Sequence, residues 1–565
     1  MTTSNDHPLD TVLVEVGEFG KFQFFSFTLI CLGIVLHSGV NVAFAFTAMD
    51  LNYRCFIPNC DSETIQDFNP SWLTNVVPYK DSDTPSKCEK YVVVQPSNVT
   101  NSISCSELSF NRSLTETCSS YVFETEEKSI LQDFDLYCDN KVWMLTLVGT
   151  INTFGVFFGV SISGVLSDRY TVQQQNRSIH GVIIAKSDRF RFGRKNVLVA
   201  GLVFCSICGI IRAFVNSYLL FLLFEFLDAA FGSGAYPISF ILAVELVGPS
   251  KRVFTGTLIC SSFAIGEILT ASVAWAVQSW RPLILILYSP ILLTVFYYWL
   301  IPESVRWLLS QKRYDDAKAI LRKAATVNGR TISDETLEKL CEASEANNSN
   351  SKNEKVSKKL LYEFFKSKTL TLRLLNCCFC WITCAFSFYG LTLNSVSLAG
   401  NSYVDFMLSA IVEIPAYLAV YLLVDRLGRR FSLCSSFFIT GISCLGVVFI
   451  PSSLYSLQLP VYLLGKFGST AAFAVSYVVT SELFPTPLRS SLVTTSSMVG
   501  RVGNVLAPQA PLLAQIWSPL PLTLFAVFGF ASSITSIFFP ETLYTKLPDT
   551  IHEAELLGKK QKANQ

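Results

Sequence analysis

The chain has 565 residues, of which half are hydrophobic and only 15% are charged, and its formal net charge is +1. A water-soluble domain has far more charged residues, so the composition excludes that class and favours a polytopic membrane protein. The basic residues sit in short loops rather than along one face, which argues against nucleic-acid binding. No catalytic set or metal-ligand spacing is present in the sequence, so we expect neither an enzyme nor a metal site.

Twelve apolar runs approach the roughly 20 residues that a helix needs to cross a bilayer. Six runs precede a charged stretch and six follow it. The predicted fold class is therefore an all-α polytopic membrane protein with two six-helix halves. The twelve predicted spans, numbered in chain order, are 22–48, 142–166, 196–215, 218–246, 253–278, 283–301, 374–394, 403–424, 431–450, 458–481, 491–513 and 519–539.

The loops rich in Lys and Arg all fall on one side of the predicted membrane, which the positive-inside rule makes cytoplasmic. We therefore expect a multi-pass plasma-membrane protein with both termini in the cytoplasm. The polar run 345–359 is expected to be a flexible linker. The predicted division is an N-terminus at 1–21, a first half at 22–301 with an extracellular loop at 50–140, a cytoplasmic linker with amphipathic helices at 302–372, a second half at 373–540 and a cytoplasmic tail at 541–565.

The predicted extracellular loop contains six cysteines, an even number in an oxidising compartment, which favours a disulfide framework. Six cysteines allow fifteen pairings, and the sequence selects none of them. The sequons at Asn98 and Asn111 are predicted glycosylation sites. The disulfide candidates are Cys55, Cys60, Cys88, Cys105, Cys118 and Cys138.

Several sequence features recur in both halves at matched intervals, as in transporters built from parallel repeats. Glu245 is followed seven residues later by Arg252, and Glu482 is followed seven residues later by Arg489. A Pro-Glu pair closes both span 6 and span 12. Two repeated halves predict alternating access, with a substrate site between the halves near the middle of the membrane.

Charged residues at the cytoplasmic turns form a predicted gate. An Asp and an Arg at a tight turn, with a Glu at a nearby span end, can form ion pairs that hold one face closed. The alternative is that these charges only cap helices and set the topology. The predicted gating residues are Asp168, Arg169, Arg194, Glu245, Arg252, Asp425, Arg426, Arg429, Glu482 and Arg489.

Arg501 lies near the middle of span 11, where a charge costs about 2.5–3.5 kcal/mol on insertion scales. Such a residue is usually paired or turned into a cavity, and we predict that it lines a substrate site. The alternative is a structural ion pair with Glu413 in span 8. Lys466 in span 10 is expected to be structural or, as the alternative, to take part in proton or cation coupling.

Glu225 and Asp228 share one face of span 4. Two acids inside a membrane bundle are expected to pair with a basic residue. The sequence leaves Arg212 and Arg373 as alternative partners.

Short motifs along nearly the whole chain resemble the organic ion transporters of solute carrier family 22, within the major facilitator superfamily. The resemblance is closest to the carnitine/organic-cation branch and to insect members. It implies a carrier of small organic cations or zwitterions, with an organic anion carrier or a transport-inactive, receptor-like membrane protein as the alternatives. The motifs are YRC at 53–55, DLYCDNKVW before span 2, PESVRWLLSQKR at 302–313, VEIPAY at 412–417, GKFGSTAAF at 465–473, SELFPTPLR at 481–489 and PETLYTKLPDT at 540–550.

One departure from the family pattern is an insertion at 171–192, which separates Asp168-Arg169-Tyr170 from Gly193-Arg194-Lys195. In the resembling family this turn is one unbroken run. The resemblance also implies that Arg501 occupies the position where cation-selective relatives have aspartate and where anion and carnitine relatives have arginine. A coupling ion, Na⁺ or H⁺, is possible, and no other cofactor is expected.

A pocket of charged and aromatic residues is predicted to bind the substrate. A guanidinium can hold a carboxylate through two hydrogen bonds, and aromatic rings attract ammonium groups. The expected partners are a small organic ion and the lipid bilayer. The predicted substrate-binding residues are Arg501, Glu413, Glu267, Tyr236, Phe240, Tyr389, Phe406, Phe473, Tyr477 and His37.

Overall fold

The computed structural model describes residues 8–168, 193–350 and 354–557, apart from 59, 62–66, 81–83, 95–104, 106–108, 139, 399 and 546. Ten helices in this part of the chain are long and apolar enough to cross a membrane. The insertion at 171–192, the predicted gating residue Arg169 and the predicted glycosylation site Asn98 lie outside the described residues.

All twelve predicted spans coincide with helices. Spans 1 to 6 comprise Lys21–Asn41 with Phe44–Thr47, Val142–Asp168, Arg194–Ala213, Tyr218–Gly232 with Ala235–Leu246, Arg252–Val277, and Trp280–Tyr288 with Ser289–Phe296 and Tyr297–Leu300. Spans 7 to 12 comprise Lys368–Asn394 with Ser395–Ser397, Ser402–Leu427, Arg429–Phe449, Tyr455–Leu483, Arg489–Leu506 with Ala507–Gln509 and Ala510–Ile516, and Leu520–Ser536.

The breaks within spans 6 and 11 have a common cause. Pro290 lies in the 3₁₀ segment Ser289–Phe296, and Pro508 lies in the 3₁₀ segment Ala507–Gln509. Proline lacks an amide hydrogen and clashes with the preceding helical turn, so a continuous α-helix is disfavoured there. Span 11 is therefore divided into the α-helix Arg489–Leu506, a 3₁₀ turn and the shorter α-helix Ala510–Ile516.

The described residues between spans 1 and 2 contain three disulfides and three two-stranded antiparallel sheets. All six candidate cysteines are paired, as Cys55–Cys118, Cys60–Cys105 and Cys88–Cys138. Asn111 is partly exposed on one of the strands. The sheets are Tyr53–Cys55 with Tyr121–Phe123, Tyr79–Lys80 with Thr84–Pro85, and Glu89–Val93 with Phe110–Thr117, and short helices lie at Leu73–Val76 and Ile130–Asp133. We call this end of the molecule the disulfide side.

Amphipathic helices cover the opposite end. The sequence predicted a flexible linker at 345–359. This prediction is wrong for the described residues 345–350 and 354–359, which are helical. The reason is that the helix Glu354–Lys366 buries Phe364 completely against the core of the second half. The helices at this end are Pro8–Val16, Val305–Ser310, Tyr314–Val327, Asp334–Asn350, Glu354–Lys366 and Ile551–Leu556. Two short 3₁₀ turns also connect spans, Pro249–Lys251 between spans 4 and 5 and Ser452–Leu454 between spans 9 and 10.

Asp10 holds the N-terminal helix against the first half. Its carboxylate accepts hydrogen bonds from Arg252 at 2.5 Å and from Arg306 at 2.7 Å. Burial by itself raises the pKa of Asp10, but the two guanidiniums outweigh this effect and lower the pKa overall. The N-terminal helix is therefore part of the packed structure at this end.

A hydrogen-bonded cluster of one basic and two acidic residues lies inside the first half. Arg212 in span 3 donates to Glu225, lies 2.7 Å from Asp228, and donates to the Tyr288 hydroxyl at 3.0 Å. Tyr288 donates in turn to Asp228 at 2.8 Å. Arg212 is thus the partner of the two span 4 acids, whereas Arg373 donates to two backbone carbonyls near the C-terminal helix, at 2.6 and 2.8 Å.

We predict that Arg212→Met destabilises the protein by about 3–5 kcal/mol, because it leaves Glu225 and Asp228 buried without their counter-charge. The measurement is the unfolding temperature of the purified protein in detergent. Arg281→Met is the matched control, because its pair with Asp133 at 2.9 Å is partly exposed and such a pair contributes about 1 kcal/mol or less. Equal unfolding temperatures for the two variants would contradict the prediction.

Candidate functional site

A cavity of about 100 Å³ lies between the two halves, near the middle of the spans. It forms because span 5 packs along span 8 and span 2 packs against span 11, which leaves a gap between these two contacts. Spans 1, 2, 4 and 5 line it from one half, and spans 7, 8, 10 and 11 line it from the other. The lining residues are His37, Asn41, Val156, Ser233, Tyr236, Pro237, Phe263, Trp381, Ala385, Phe388, Tyr389, Tyr417, Phe473, Tyr477, Ser497, Gly500, Arg501 and Asn504.

Arg501 is the one charged residue among the described lining residues. It lines the cavity together with Tyr389 and Tyr477, and its buried Nε has no hydrogen-bond partner among the described residues. Among the ion pairs of the described chain none includes Arg501, so the expected alternative of a pair with Glu413 is not formed. A guanidinium in this setting can bind a carboxylate that enters the cavity.

Two polar residues beside Arg501 were missed in the sequence. Ser497 and Asn504 stand four residues before and three residues after Arg501 in span 11, and both line the cavity. The buried Asn504 Oδ1 has no hydrogen-bond partner. Helical spacing from Arg501 could have identified both residues, because residues three or four apart share one helix face.

Aromatic rings form most of the remaining wall. Tyr236, Tyr389, Phe473 and Tyr477 lie where the sequence predicted them, at the cavity. Trp381 was missed, although its ring centroid lies 4.4 Å from that of Tyr477 and 5.8 Å from that of Phe473. The available signal was again helical spacing, because Trp381 lies seven residues before another ring of span 7 that lines the cavity.

Of three other residues that were predicted to bind the substrate, one lines the cavity and two do not. His37 lines the cavity and has an unpartnered Nδ1. Phe240 does not line the cavity but packs against Tyr236, with ring centroids 6.5 Å apart. Phe406 is fully buried against Phe46, at 5.0 Å between centroids. Because Phe46 ends span 1 and Phe406 begins span 8, this contact joins the two halves on the disulfide side of the cavity.

A larger cavity of about 790 Å³ lies further toward the disulfide side. Both halves line it, together with Asp50, Glu124 and Glu127 from the disulfide-bonded segment. Tyr403, whose ring stacks on Phe46 at 5.4 Å, also lines it. An aromatic contact between the halves, that of Phe46 with Tyr403, therefore lies at this outer cavity.

The two predicted acids, Glu413 and Glu267, lie behind the cavity wall rather than in it. Glu413 and Lys466 form an ion pair at 2.7 Å, and both side chains are fully buried. Lys466 Nζ also donates to Thr392 at 2.6 Å and lies 3.5 Å from the ring centroid of Phe388. Phe388 lines the cavity and therefore separates it from this ion pair.

Predicted gating residues form a clamp at the end of the first half opposite the disulfide side. Glu245 accepts hydrogen bonds from Arg194 and from the Ser304 hydroxyl, the latter at 2.5 Å. Glu303 accepts from the backbone amide of Lys195 at 3.2 Å. The clamp therefore joins the start of span 3 to the ends of spans 4 and 6.

The second half repeats this clamp. Glu482 accepts from Arg429 at 3.2 Å and from the Thr542 hydroxyl at 2.5 Å, and Glu541 accepts from the Arg429 backbone amide at 2.9 Å. Asp425 lies 2.8 Å from Arg429, but its side chain is 70% exposed. Each clamp connects spans of the same half, so in this conformation neither one links the two halves.

The remaining predicted gating residues do not join the clamps. Arg252 pairs with Asp10 at the N-terminal helix instead of with the glutamate seven residues before it. Arg489 donates to the Phe484 carbonyl at 3.4 Å, and Arg426 has no ion pair among the residues that the structure describes. Asp168 is the last residue of the span 2 helix. A gating role for these residues stays a prediction.

The sequence matches the family described as "Sugar (and other) transporter" over residues 178–551. Similar curated proteins include the organic cation transporter protein of Drosophila melanogaster, 31% identical over 98% of this chain and 95% of that protein. Solute carrier family 22 member 3 of Mus musculus is 30% identical over 98% of this chain and 96% of its own length. Organic cation/carnitine transporter 2 of Homo sapiens is 29% identical over 96% of this chain and 93% of its own length.

Solved structures with a similar fold include the inward-open xylose transporter XylE from E. coli. Its TM-score is 0.56 at 15% sequence identity, over 76% of this chain and 93% of that one. A partially occluded inward-open form of XylE gives the same TM-score over 92% and 98%. At these identities the likeness shows the fold alone, and it agrees with two six-helix halves.

We predict that Glu482→Gln loosens the clamp of the second half, because Arg429 loses a largely buried carboxylate. Hydrogen bonds to charged groups contribute about 1.5–3 kcal/mol, so amide hydrogen exchange in peptides covering 425–432 and 540–545 should rise about tenfold or more. Asp425→Asn is the control, and it should change exchange little because exposed pairs contribute about 1 kcal/mol or less. Unchanged exchange in Glu482→Gln would rule out a clamp at this site.

Proposed function

Because the chain belongs to the organic ion transporters of solute carrier family 22, we propose that it carries small organic zwitterions across the plasma membrane. The preferred substrates combine a carboxylate with a substituted ammonium group, as carnitine does. Transport proceeds by alternating access of the cavity between the two halves. The observation that supports this substrate class most strongly is Arg501, which lines an aromatic cavity and has no carboxylate partner among the described residues.

Arg501 supports the carboxylate part of the proposal. A charge near the middle of a membrane bundle costs free energy unless a counter-charge compensates it. Arg212 and Lys466 are each compensated by buried glutamates, whereas Arg501 is not. A substrate carboxylate can compensate it with two parallel hydrogen bonds, a geometry that lysine cannot reproduce.

The rings around Arg501 support the ammonium part. Faces of Trp and Tyr attract cations by about 0.5–2 kcal/mol, and more strongly where water is excluded. No acidic side chain is among the described lining residues, so a plain cation would meet Arg501 without any compensating charge. A zwitterion places its carboxylate on Arg501 and its ammonium group on the rings, and this combination fits the cavity better.

The small volume of the central cavity supports a conformational step. Pockets for small molecules usually measure about 300–1,000 Å³, whereas this cavity measures about 100 Å³ and the outer one about 790 Å³. The halves must therefore separate before a substrate fits, and the contact of Phe46 with Phe406, which joins them, must then open. We place the disulfide side outside the cell, because disulfides persist in oxidising compartments, and both termini in the cytoplasm.

Uptake of three labelled compounds into expressing cells tests the proposal: carnitine, tetraethylammonium as a monovalent cation, and a dicarboxylate. We expect carnitine to be taken up best. Arg501→Lys should raise the KM for carnitine about tenfold or more, because a charge-assisted hydrogen bond is lost. Arg501→Asp should abolish carnitine uptake and favour tetraethylammonium.

Arg281→Lys is the matched control, because Arg281 lies far from the cavity, on the disulfide side, and should leave KM unchanged. All variants are compared per protein molecule at the cell surface. Preferred uptake of the dicarboxylate would support an anion carrier instead. An identical substrate profile for wild type and Arg501→Asp would exclude charge selection by Arg501, and absence of all uptake by surface-expressed protein would favour a receptor-like role.

A further inference from the structure

Three buried charged groups meet where the halves touch. Glu267 comes from span 5 of the first half, and Glu413 and Lys466 come from spans 8 and 10 of the second. All three side chains are fully buried. Glu413 pairs with Lys466 at 2.7 Å, and Glu267 lies near Glu413 because span 5 packs along span 8, where Ser272 contacts Met407 at 3.4 Å. This cluster connects the two halves, unlike the clamps, each of which lies within one half.

The positive and negative charges of this cluster do not balance when every group is ionised. Two carboxylates and one ammonium leave a net charge of −1, and neither oxygen of Glu267 has a donor among the described residues. An ionised carboxylate only accepts hydrogen bonds, so two ionised carboxylates cannot bond to each other. One proton between them removes both problems, because it supplies the missing donor and makes the cluster neutral. Since Lys466 already stabilises the ionised form of Glu413, the proton belongs on Glu267.

We infer that Glu267 and Glu413 form a proton-binding site between the halves, and that this proton is exchanged for the ammonium-bearing substrate during transport. The inference deepens the proposed function and rests on it for the substrate. In the closed contact, the Glu267 O–H donates to Glu413. When spans 5 and 8 separate, water reaches Glu267, its O–H bond breaks, and the proton leaves to that water while the electron pair stays on the carboxylate.

The surroundings of Glu267 contain few other titratable groups. From span 8 it faces Glu413 and Tyr417, from span 10 Lys466, and from span 7 Tyr389. Span 5 itself contributes Cys260, which neighbours Glu413 and shares a hydrogen bond with the hydroxyl of Tyr236 in span 4. Span 1 packs on span 5 through Ser38 and Gly39, and its His37 lies beside Gly232 of span 4. Among the described residues, Lys466 is thus the one basic group that forms an ion pair with this pair of acids.

The proton site and the substrate cavity share a wall. Phe388 lines the cavity, and its ring also lies 3.5 Å from Lys466 Nζ. Tyr417 lines the cavity four residues after Glu413 and thus on the same helix face. An ammonium group bound at this wall lies close to the cluster and favours its negative, deprotonated form. Substrate binding therefore favours proton release, which is the physical basis for exchange.

The first test needs no substrate. Infrared spectra of the purified protein at pH 7 should contain a neutral carboxyl band that Glu267→Gln removes. Glutamine is suited to the test because its amide donates to Glu413 and preserves the contact without a proton. Glu335→Gln, an exposed residue of a peripheral helix, should leave the band unchanged. If Glu267→Gln fails to fold, Glu413→Gln serves as a second variant, and it should shift or remove the same band. A wild-type spectrum without such a band, or a band unaffected by either substitution, overturns the inference.

The second test uses proteoliposomes with the membrane potential clamped at zero. An acidic interior should raise initial carnitine uptake several-fold, and adding carnitine outside should raise the internal pH. Glu267→Gln should lose both responses yet still exchange labelled for unlabelled carnitine. Carnitine uptake that ignores the pH gradient would refute proton exchange while leaving the proposed function intact. If wild type moves no carnitine, the proposed function fails, and the infrared result alone decides whether the proton site exists.

Discussion

The need to compensate buried charge organises the interior of this protein. Arg212 is paired within the first half with two acids and a tyrosine hydroxyl. Lys466 is neutralised by Glu413 in the second half. Both are arranged as low-dielectric surroundings require, with charges paired and hydrogen-bonded. Arg501 departs from this pattern, and it does so in a cavity that both halves and several aromatic rings line.

The two ends of the bundle follow a second regularity that depends on the same constraint. Each half closes its end with a glutamate held by an arginine and a hydroxyl, Glu245 in one half and Glu482 in the other. Because each clamp lies within a half, it makes that half more rigid without resisting movement between halves. The contacts that must change during transport are then the aromatic cluster around Phe46 and the acid cluster around Glu267.

Hydropathy was sufficient to predict the twelve spans, because bilayer thickness sets the length of an apolar helix. The six cysteines of the loop were identified as disulfide candidates, but their pairing depends on the strand register, which spacing does not reveal. Arg501 was also predicted to face a cavity, since an isolated charge in an apolar span has few other favourable positions. These features share a local cause, which is why the sequence indicates them.

Features that depend on tertiary contact were harder to predict. Arg194 and Arg429, the predicted arginines of the tight turns, do pair with the glutamates of the clamps. Arg252 and Arg489, which follow those glutamates in sequence and were also predicted to take part, lie outside the clamps. Glu413 was placed in the binding pocket, because nothing in the sequence indicates that span 10 brings a lysine against span 8. Charge pairing across helices depends on helix rotation, and hydropathy does not determine that rotation.

Arg501 and the Glu267 cluster together give the site a consistent electrostatic logic. With Glu267 protonated, the cluster is neutral and the empty cavity contains one positive charge, that of Arg501. A zwitterion adds a carboxylate, which compensates Arg501, and an ammonium group, which introduces a new positive charge beside the shared wall. Loss of the Glu267 proton supplies the matching negative charge within the same low-dielectric region, where separated charges interact most strongly. The carboxylate therefore accounts for the arginine, and the ammonium group accounts for the acid behind the wall, so that neither half of the substrate leaves a buried charge uncompensated.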